Sequence, residues 1–379
     1  MHCRKILFCA PRDTALGGIA RCVDHLMTYY EHLHNPGVDI ELFRMERTAL
    51  ITPTTGFMKR IIIGVKDYVS LLHRFGKRLS GKNDFDIVHV VICGSHRTSI
   101  VLRQSFVKDI LMLRKAKSIG LKTILHFHFG RVPEIIESRN WEWHLLKRAL
   151  QLSDKMIVID MKSYNALKSI GCDNVCYLPN PIAPSVCDFV KANPGIKREQ
   201  RTILFAGHVY PTKGVFELVD ACRKIPSVKV KLIGAVSDDM RRQLNAGREK
   251  TAADNELQIV GQVPFEDVLK EMMSCSVFAL PTYTEGFPNV ILEGMACGCP
   301  IVTTPVGAIP EMLDINNVGG ECGVVVPVKN VEKLKEAIER LLDNSEYAEM
   351  LGARAKERVV AEYSIDSVWH KTIDIWGKV

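Results

Sequence analysis

The 379-residue chain contains no run approaching the roughly eighteen apolar residues that a membrane-spanning helix requires. Near its start the apolar stretch Ile6 to Ala10 is cut by Pro11, which is too short for a signal-peptide core. Its 12 cysteines include no close-spaced quartet of the zinc-binding kind. Only Cys172/Cys176 and Cys297/Cys299 are near neighbours, a pattern that suits free thiols in a reducing cytoplasm. Aromatic residues make up 7%, and no RNA- or DNA-binding motif occurs, so a nucleic-acid partner is not expected. No repeat of solenoid period and no low-complexity tract is present. The absence of G-x-G-x-x-G argues against a dinucleotide oxidoreductase.

What is present can build large cores: 47% of the residues are hydrophobic and 25% charged, at a length expected for two or three domains. Short β-branched runs bounded by turn residues alternate with helical patterns. In the first half the predicted strands are Lys5–Ala10, Asp39–Arg44, Asp86–Ile92, Lys122–His128, Lys155–Asp160 and Val175–Leu178. In the second they are Thr202–Ala206, Val228–Ile233, Leu257–Val260, Val277–Leu280, Ile301–Thr304 and Val324–Val326. Such alternation predicts an α/β protein with two doubly wound, Rossmann-like parallel sheets. The boundary is expected in the Pro/Asn/Gly-rich stretch Pro179–Gly195, giving domains 1–183 and 184–364, with an active site in the cleft between them.

The net charge of +7 is unevenly placed. Residues 1–195 hold 28 Lys/Arg against 17 Asp/Glu, whereas residues 196–379 hold 22 against 26. Much of the excess is one segment, 58–82, with Lys59, Arg60, Lys66, Arg74, Lys77, Arg78 and Lys82 against Asp67. Met58 to Leu79 reads as an amphipathic helix with one broad apolar face and one basic face. That pattern suits either an anionic membrane surface or ordinary packing on the chain's own sheet.

The strongest local signal is the segment Pro281 to Pro300. A buried strand ends at Leu280, a polar loop follows, and a helix opens near Asn289 or Val290. Free amides at a helix start favour a phosphate. Glu285 and Glu293, eight residues apart, are good acceptors for sugar hydroxyls, or else ordinary solvated helix-start acids. Gly17 and Gly18 follow the first strand and precede a helix, so the backbone there can approach a ligand closely. His126 and His128 share one face of a strand end. They read as structural histidines, as a ligand contact led by His128, or as a metal pair lacking an identified third ligand.

The stretch Glu285-Gly-Phe-Pro-Asn-Val-Ile-Leu-Glu293 resembles the E-x7-E motif of family 4 glycosyltransferases, retaining enzymes of the glycosyltransferase B fold. The resemblance extends through Thr304–Glu311, Gly320–Pro327, Ile203–Gly207, Lys213–Gly214 and Leu178–Pro181, and more loosely through Gly17–Gly18 and His126–His128. It implies a hexosyltransferase that moves a sugar from a UDP- or GDP-sugar to an acceptor hydroxyl, without metal or other cofactor. Glu293 would bind the ribose, Glu285 and His128 would lie beside the sugar, and the backbone of Gly286, Phe287, Pro288, Asn289 and Val290 would hold sugar and phosphate. Gly17, Gly18, His208 and Lys213 would face the diphosphate, whose growing charge needs electrostatic stabilisation. His208 departs from the family pattern, which has Arg there; a histidine cannot form the guanidinium fork. It either faces phosphate or merely packs.

The resemblance further implies a glycan or lipid-linked acceptor in cell-surface polysaccharide synthesis, and a cytoplasmic enzyme peripheral on the inner face of the membrane. It also implies that the last helix, 365–379, packs back on the first domain. The competing readings are a nucleotide-sugar epimerase, a glycogen-type phosphorylase, for which no pyridoxal-phosphate lysine pattern is found, and a silent sugar-nucleotide binder.

Overall fold

The structure, a computed structural model, describes every residue except 1–2, 13–17, 34–36, 46–56, 82–83, 93–99, 247–254 and 318–319; for 57–61 and 100–105 it describes the backbone alone. The chain divides into two compact units, Met1–Asn180 with Val368–Val379, and Pro181–Ser367. The division falls inside the predicted Pro/Asn-rich stretch, slightly before the 183/184 boundary read from sequence.

In the first unit six strands run β1 (Arg4–Ala10), β2 (Val38–Arg44), β3 (Ile87–Ile92), β4 (Lys122–Phe127), β5 (Lys155–Val158) and β6 (Val175–Tyr177). They form one parallel sheet in the order β2-β1-β3-β4-β5-β6. Both faces are covered over β1, β3, β4 and β5, which are buried at nearly every position, whereas the edge strand β2 alternates with Asp39, Glu41 and Arg44. Ile6, Phe8, Ile87, Val91, Ile124 and Ile157 cluster with Val23 and Met27 of the Gly18–His32 helix and with Val368, Trp369 and Trp376 of the C-terminal helix. Leu7, Val88, Val90, Leu125, Phe127 and Val158 point the other way, onto Leu71, Phe75 and Leu79 of the Phe57–Ser80 helix and Met112 and Leu113 of the Ile100–Ser118 helix.

The second unit repeats the design with β7 (Thr202–Ala206), β8 (Lys229–Ile233), β9 (Glu256–Gly261), β10 (Val277–Leu280), β11 (Ile301–Thr303) and β12 (Val324–Val325). Its order is β12-β11-β10-β7-β8-β9, again parallel throughout. Chain direction across the sheet reverses between β7 and β10 here, and between β1 and β3 in the first unit. Open α/β sheets bind ligands at such reversals, beyond the carboxyl ends of the strands. The segments that leave β7 and β10 are the ones carrying Lys213 and Glu285.

The Phe57–Ser80 helix has only part of its broad apolar face covered. Leu71, Phe75 and Leu79 are buried, at about 1.5–3 kcal/mol each. Ile62, Val65 and Val69 instead point outward, 51%, 47% and 62% exposed. Two of its arginines are absorbed by the fold. Arg78 grips Glu41 of β2 with two 2.6 Å hydrogen bonds and lies over Phe85, while Arg74 lies over Phe43. The outward face therefore carries Ile62, Val65 and Val69 among Lys66, His73 and Lys77.

Candidate functional site

At the carboxyl end of β7 the chain turns through Gly207–Tyr210 into a single 3-10 turn, Pro211–Lys213, before the Val215–Arg223 helix. Gly214 sits at φ 71°, and a Cβ there would overlap the Pro281 carbonyl. Only glycine lets this turn lie directly against the segment leaving β10. That segment is pinned in return: the Tyr283 amide donates to the Thr212 carbonyl at 2.9 Å, and the Thr282 hydroxyl reaches the same oxygen at 3.4 Å. The Thr303 and Thr304 hydroxyls hold the Leu280 and Thr282 carbonyls. The result of this bracing is one ion pair, Lys213 Nζ with Glu285 Oε1, half-sheltered at 27% and 14% side-chain exposure.

The backbone beyond Glu285 is walled by the loop after β11. Gly307 lies at φ 55°, and a Cβ on it would overlap the carbonyl oxygens of both Glu285 and Gly286. The Ala308 amide donates to the Gly286 carbonyl at 2.9 Å. Phe287 and Val290 turn their side chains into the core, and Phe287 contacts Tyr363.

The Asn289–Ala296 helix opens without a side-chain cap, as do those starting at Pro184, Val215, Phe265 and Ile309. The helices starting at Asp238, Val331 and Ser345 are capped by the Ser237, Asn330 and Asn344 side chains. Asn289–Ala296 follows buried Pro288, with no side-chain cap and no acid in its first turn. The Ile291 amide bonds the Pro288 carbonyl at 2.9 Å, and the Asn289 and Val290 amides with the positive dipole end suit an anion. Asn289 Oδ1 is buried without a hydrogen-bond partner. Gly294 lets the helix press onto β10, where a Cβ would stand 3.0 Å from the Phe278 ring. Glu293 lies half-buried on the same helix.

His208 is exposed, and its ring lies parallel to Tyr210, 5.7 Å between centroids and 2° between planes. Gly18 is the first residue of its helix and is exposed, while Gly17 lies outside the described residues. Arg12 anchors that helix to the end of β1 through Asp24 at 2.9 Å and Glu31 at 2.7 Å.

His128 immediately follows β4 and is buried with His126 and with His89 of β3. Burial pushes the His128 pKa down to about 4 and that of His89 to about 3, and holds His126 well below its usual value. All three are neutral near pH 7. Three histidines thus meet where the sequence suggested two, yet among the described residues no group of His, Cys, Asp or Glu is arranged to hold a metal ion.

Sequence reasoning singled out Lys213 and Glu285, which the structure brings into contact. It missed Gly307, His89 and Trp376, whose partners are remote along the chain. A cavity lined by Val219, Cys222, Arg223, Val228, Asn255 and Leu257 lies at the amino ends of β8 and β9. That edge of the sheet is opposite to the one where α/β ligands bind.

The sequence model of the family described as "Glycosyl transferases group 1" matches residues 188–358. An uncharacterized glycosyltransferase of Methanocaldococcus jannaschii is 33% identical over 309 residues, covering 81% of this chain and 78% of the relative. The phosphatidyl-myo-inositol mannosyltransferase of Mycolicibacterium smegmatis is 25% identical over 321 residues, covering 82% and 75%. Among solved structures, Anabaena HepE in complex with UDP superposes with a TM-score of 0.69 at 14% identity, over 99% of this chain and 100% of that one. At that identity the likeness speaks for the fold, which is the glycosyltransferase B fold.

Proposed function

The chain belongs to the group 1 glycosyl transferases, and from that premise we propose that it is a retaining, metal-independent enzyme of the family 4 type. It transfers a sugar from a nucleotide-diphosphate donor to an acceptor hydroxyl. The observation that carries this reading is the Lys213–Glu285 pair, braced beside an uncapped helix start at the strand reversal of the second sheet.

The donor diphosphate is negative when bound and more so as it leaves. Lys213 and the backbone amides of Gly286, Phe287, Asn289 and Val290 meet that charge, and Lys213 exchanges part of its bond to Glu285 for one to phosphate. Preorganised donors of this kind are worth about 3–4 kcal/mol each. Glu293 accepts from the ribose hydroxyls. Glu285 and His128 hydrogen-bond the sugar, and Gly17, Gly18 and His208 complete the phosphate surroundings. The acceptor oxygen bonds to the anomeric carbon on the face from which the phosphate departs. The anomeric C–O bond to phosphate breaks, and the acceptor proton passes to the departing phosphate oxygen. Configuration is retained without a protein nucleophile.

A relative that is a phosphatidyl-myo-inositol mannosyltransferase, together with the outward stripe Ile62, Val65 and Val69 among Lys66 and Lys77, supports a lipid-linked acceptor in cell-surface glycan synthesis. It also supports a position on the cytoplasmic face of an anionic membrane. The test is a thermal-shift panel of UDP-, GDP- and ADP-sugars, followed by transfer assays in chelator. One donor class should raise the melting temperature and be turned over in chelator with retained anomeric configuration. No shift with any donor, or an inverted product, refutes the reading.

A further inference from the structure

A file of three imidazoles crosses the interior of the first unit and ends at His128. His89 is 1% exposed, His126 6% and His128 9%. Ile124, His126 and His128 share one face of the β4 run, the face covered by the C-terminal helix. Trp376 Nε1 of that helix donates to His89 Nδ1 at 3.0 Å. His89 Nε2 stands 3.3 Å from His126 Nδ1, and the His126 and His128 ring centroids are 4.1 Å apart.

Elementary donor and acceptor rules give this file a direction. An indole nitrogen can only donate, so His89 Nδ1 accepts, and the neutral ring carries its hydrogen on Nε2. That hydrogen goes to His126 Nδ1, which places the hydrogen of neutral His126 on its own Nε2. His126 Nε2 and His128 Nδ1 are then a matched donor and acceptor, and both are buried with no hydrogen-bond partner. Buried polar groups of this kind are rarely left unmet.

We propose that Trp376, His89 and His126 form a one-way donor relay that makes His128 Nδ1 an acceptor and so fixes His128 as the Nε2–H tautomer, a hydrogen-bond donor to an oxygen of the sugar substrate. A direct His126–His128 bond imposes this polarity, and a bridging water keeps it when it accepts from His126 Nε2 and donates to His128 Nδ1. Burial keeps all three rings neutral, so the relay persists through neutral pH. Trp376 and His89 are positioning residues: they touch no substrate and act only through the next ring. The functional half of the proposal rests on His128 meeting the sugar.

The test combines histidine-selective 15N NMR of the full chain with kinetics. The Nε2–H tautomer is expected at His89, His126 and His128. Trp376→Phe should mix the His89 tautomers and lower kcat about tenfold, the worth of one hydrogen bond, with the donor KM little changed. His89→Gln can accept from Trp376 through its amide oxygen and donate to His126 through its NH2, and should keep most activity. His89→Leu should not. A hydrogen on Nδ1 of any of the three rings in the wild type, or equal rates for the Gln and Leu variants, overturns the relay. Wild-type transfer by His128→Ala overturns the site reading instead, and leaves the tautomers as expected.

Discussion

The carboxyl ends of the two sheets handle polarity in opposite ways. In the second unit a lysine and a carboxylate are held together by threonine hydroxyls and two obligatory glycines, next to an open helix start. In the first unit the end of β4 carries neutral imidazoles, buried with His89 beside the C-terminal helix, while the charge at the end of β1 is engaged in the Arg12–Asp24 and Arg12–Glu31 pairs. The former suits a ligand whose charge grows during reaction, the latter a ligand read through hydroxyl oxygens. One fold used twice has thus produced two chemically unlike ends, and the difference comes from what each sheet places after its strands.

The largest effect is expected at Lys213. Lys213→Ala removes the cation expected to meet the diphosphate and leaves Glu285 without its partner. A fall in kcat/KM of about 10²–10³ is predicted, of the size seen when a preorganised charge-stabilising donor is deleted. Steady-state kinetics with the preferred donor would measure it, and a change under threefold would assign the diphosphate elsewhere.

The neutral end should show itself in acid. His128 and His89 have folded pKa values of about 4 and about 3, while an unfolded histidine titrates near 6.5. Below that value the unfolded chain takes up protons that the folded chain refuses, so stability falls as pH drops from about 6.5 toward 4. The loss is on the order of a few kcal/mol and should be smaller in His89→Gln. Urea denaturation at pH 7 and pH 5 would measure it, and an unchanged midpoint in the wild type would mean that these rings are hydrated or charged.

The smallest change expected is at His208. The imidazole is exposed and stacked on Tyr210, so arginine fits there without burying charge. His208→Arg is predicted to keep or raise kcat/KM by a few-fold near neutral pH, as one added surface cation near a phosphate would. A near-complete loss would remove His208 from the phosphate surroundings.

The central strands were legible in the sequence because a fully covered parallel strand is largely apolar, and the edge strand β2 by its alternation of apolar and charged residues. All twelve predicted strands appear among the described residues, with ends displaced by a residue or two. Glu285 was legible because it sits in a short polar loop directly after a buried strand, and Lys213 through the resemblance of Lys213–Gly214 to the family pattern. The Phe57–Ser80 helix was only half legible: periodicity finds apolar positions but does not say which stripe the sheet will cover. Gly307 gave no local sign, since its constraint comes from carbonyls on another loop. The Trp376–His89 bond joins residues 287 positions apart, and no window of sequence contains both.

The division of labour between the two ends is tested most directly by calorimetric titration of UDP and GDP into the wild type, Lys213→Ala and His128→Ala. The nucleotide that binds the wild type should lose at least about tenfold in affinity with Lys213→Ala, since about 1.4 kcal/mol corresponds to tenfold. His128→Ala should bind it as the wild type does. Unaltered binding by Lys213→Ala, or an equal loss in His128→Ala, would contradict Lys213 serving the diphosphate and His128 serving the sugar.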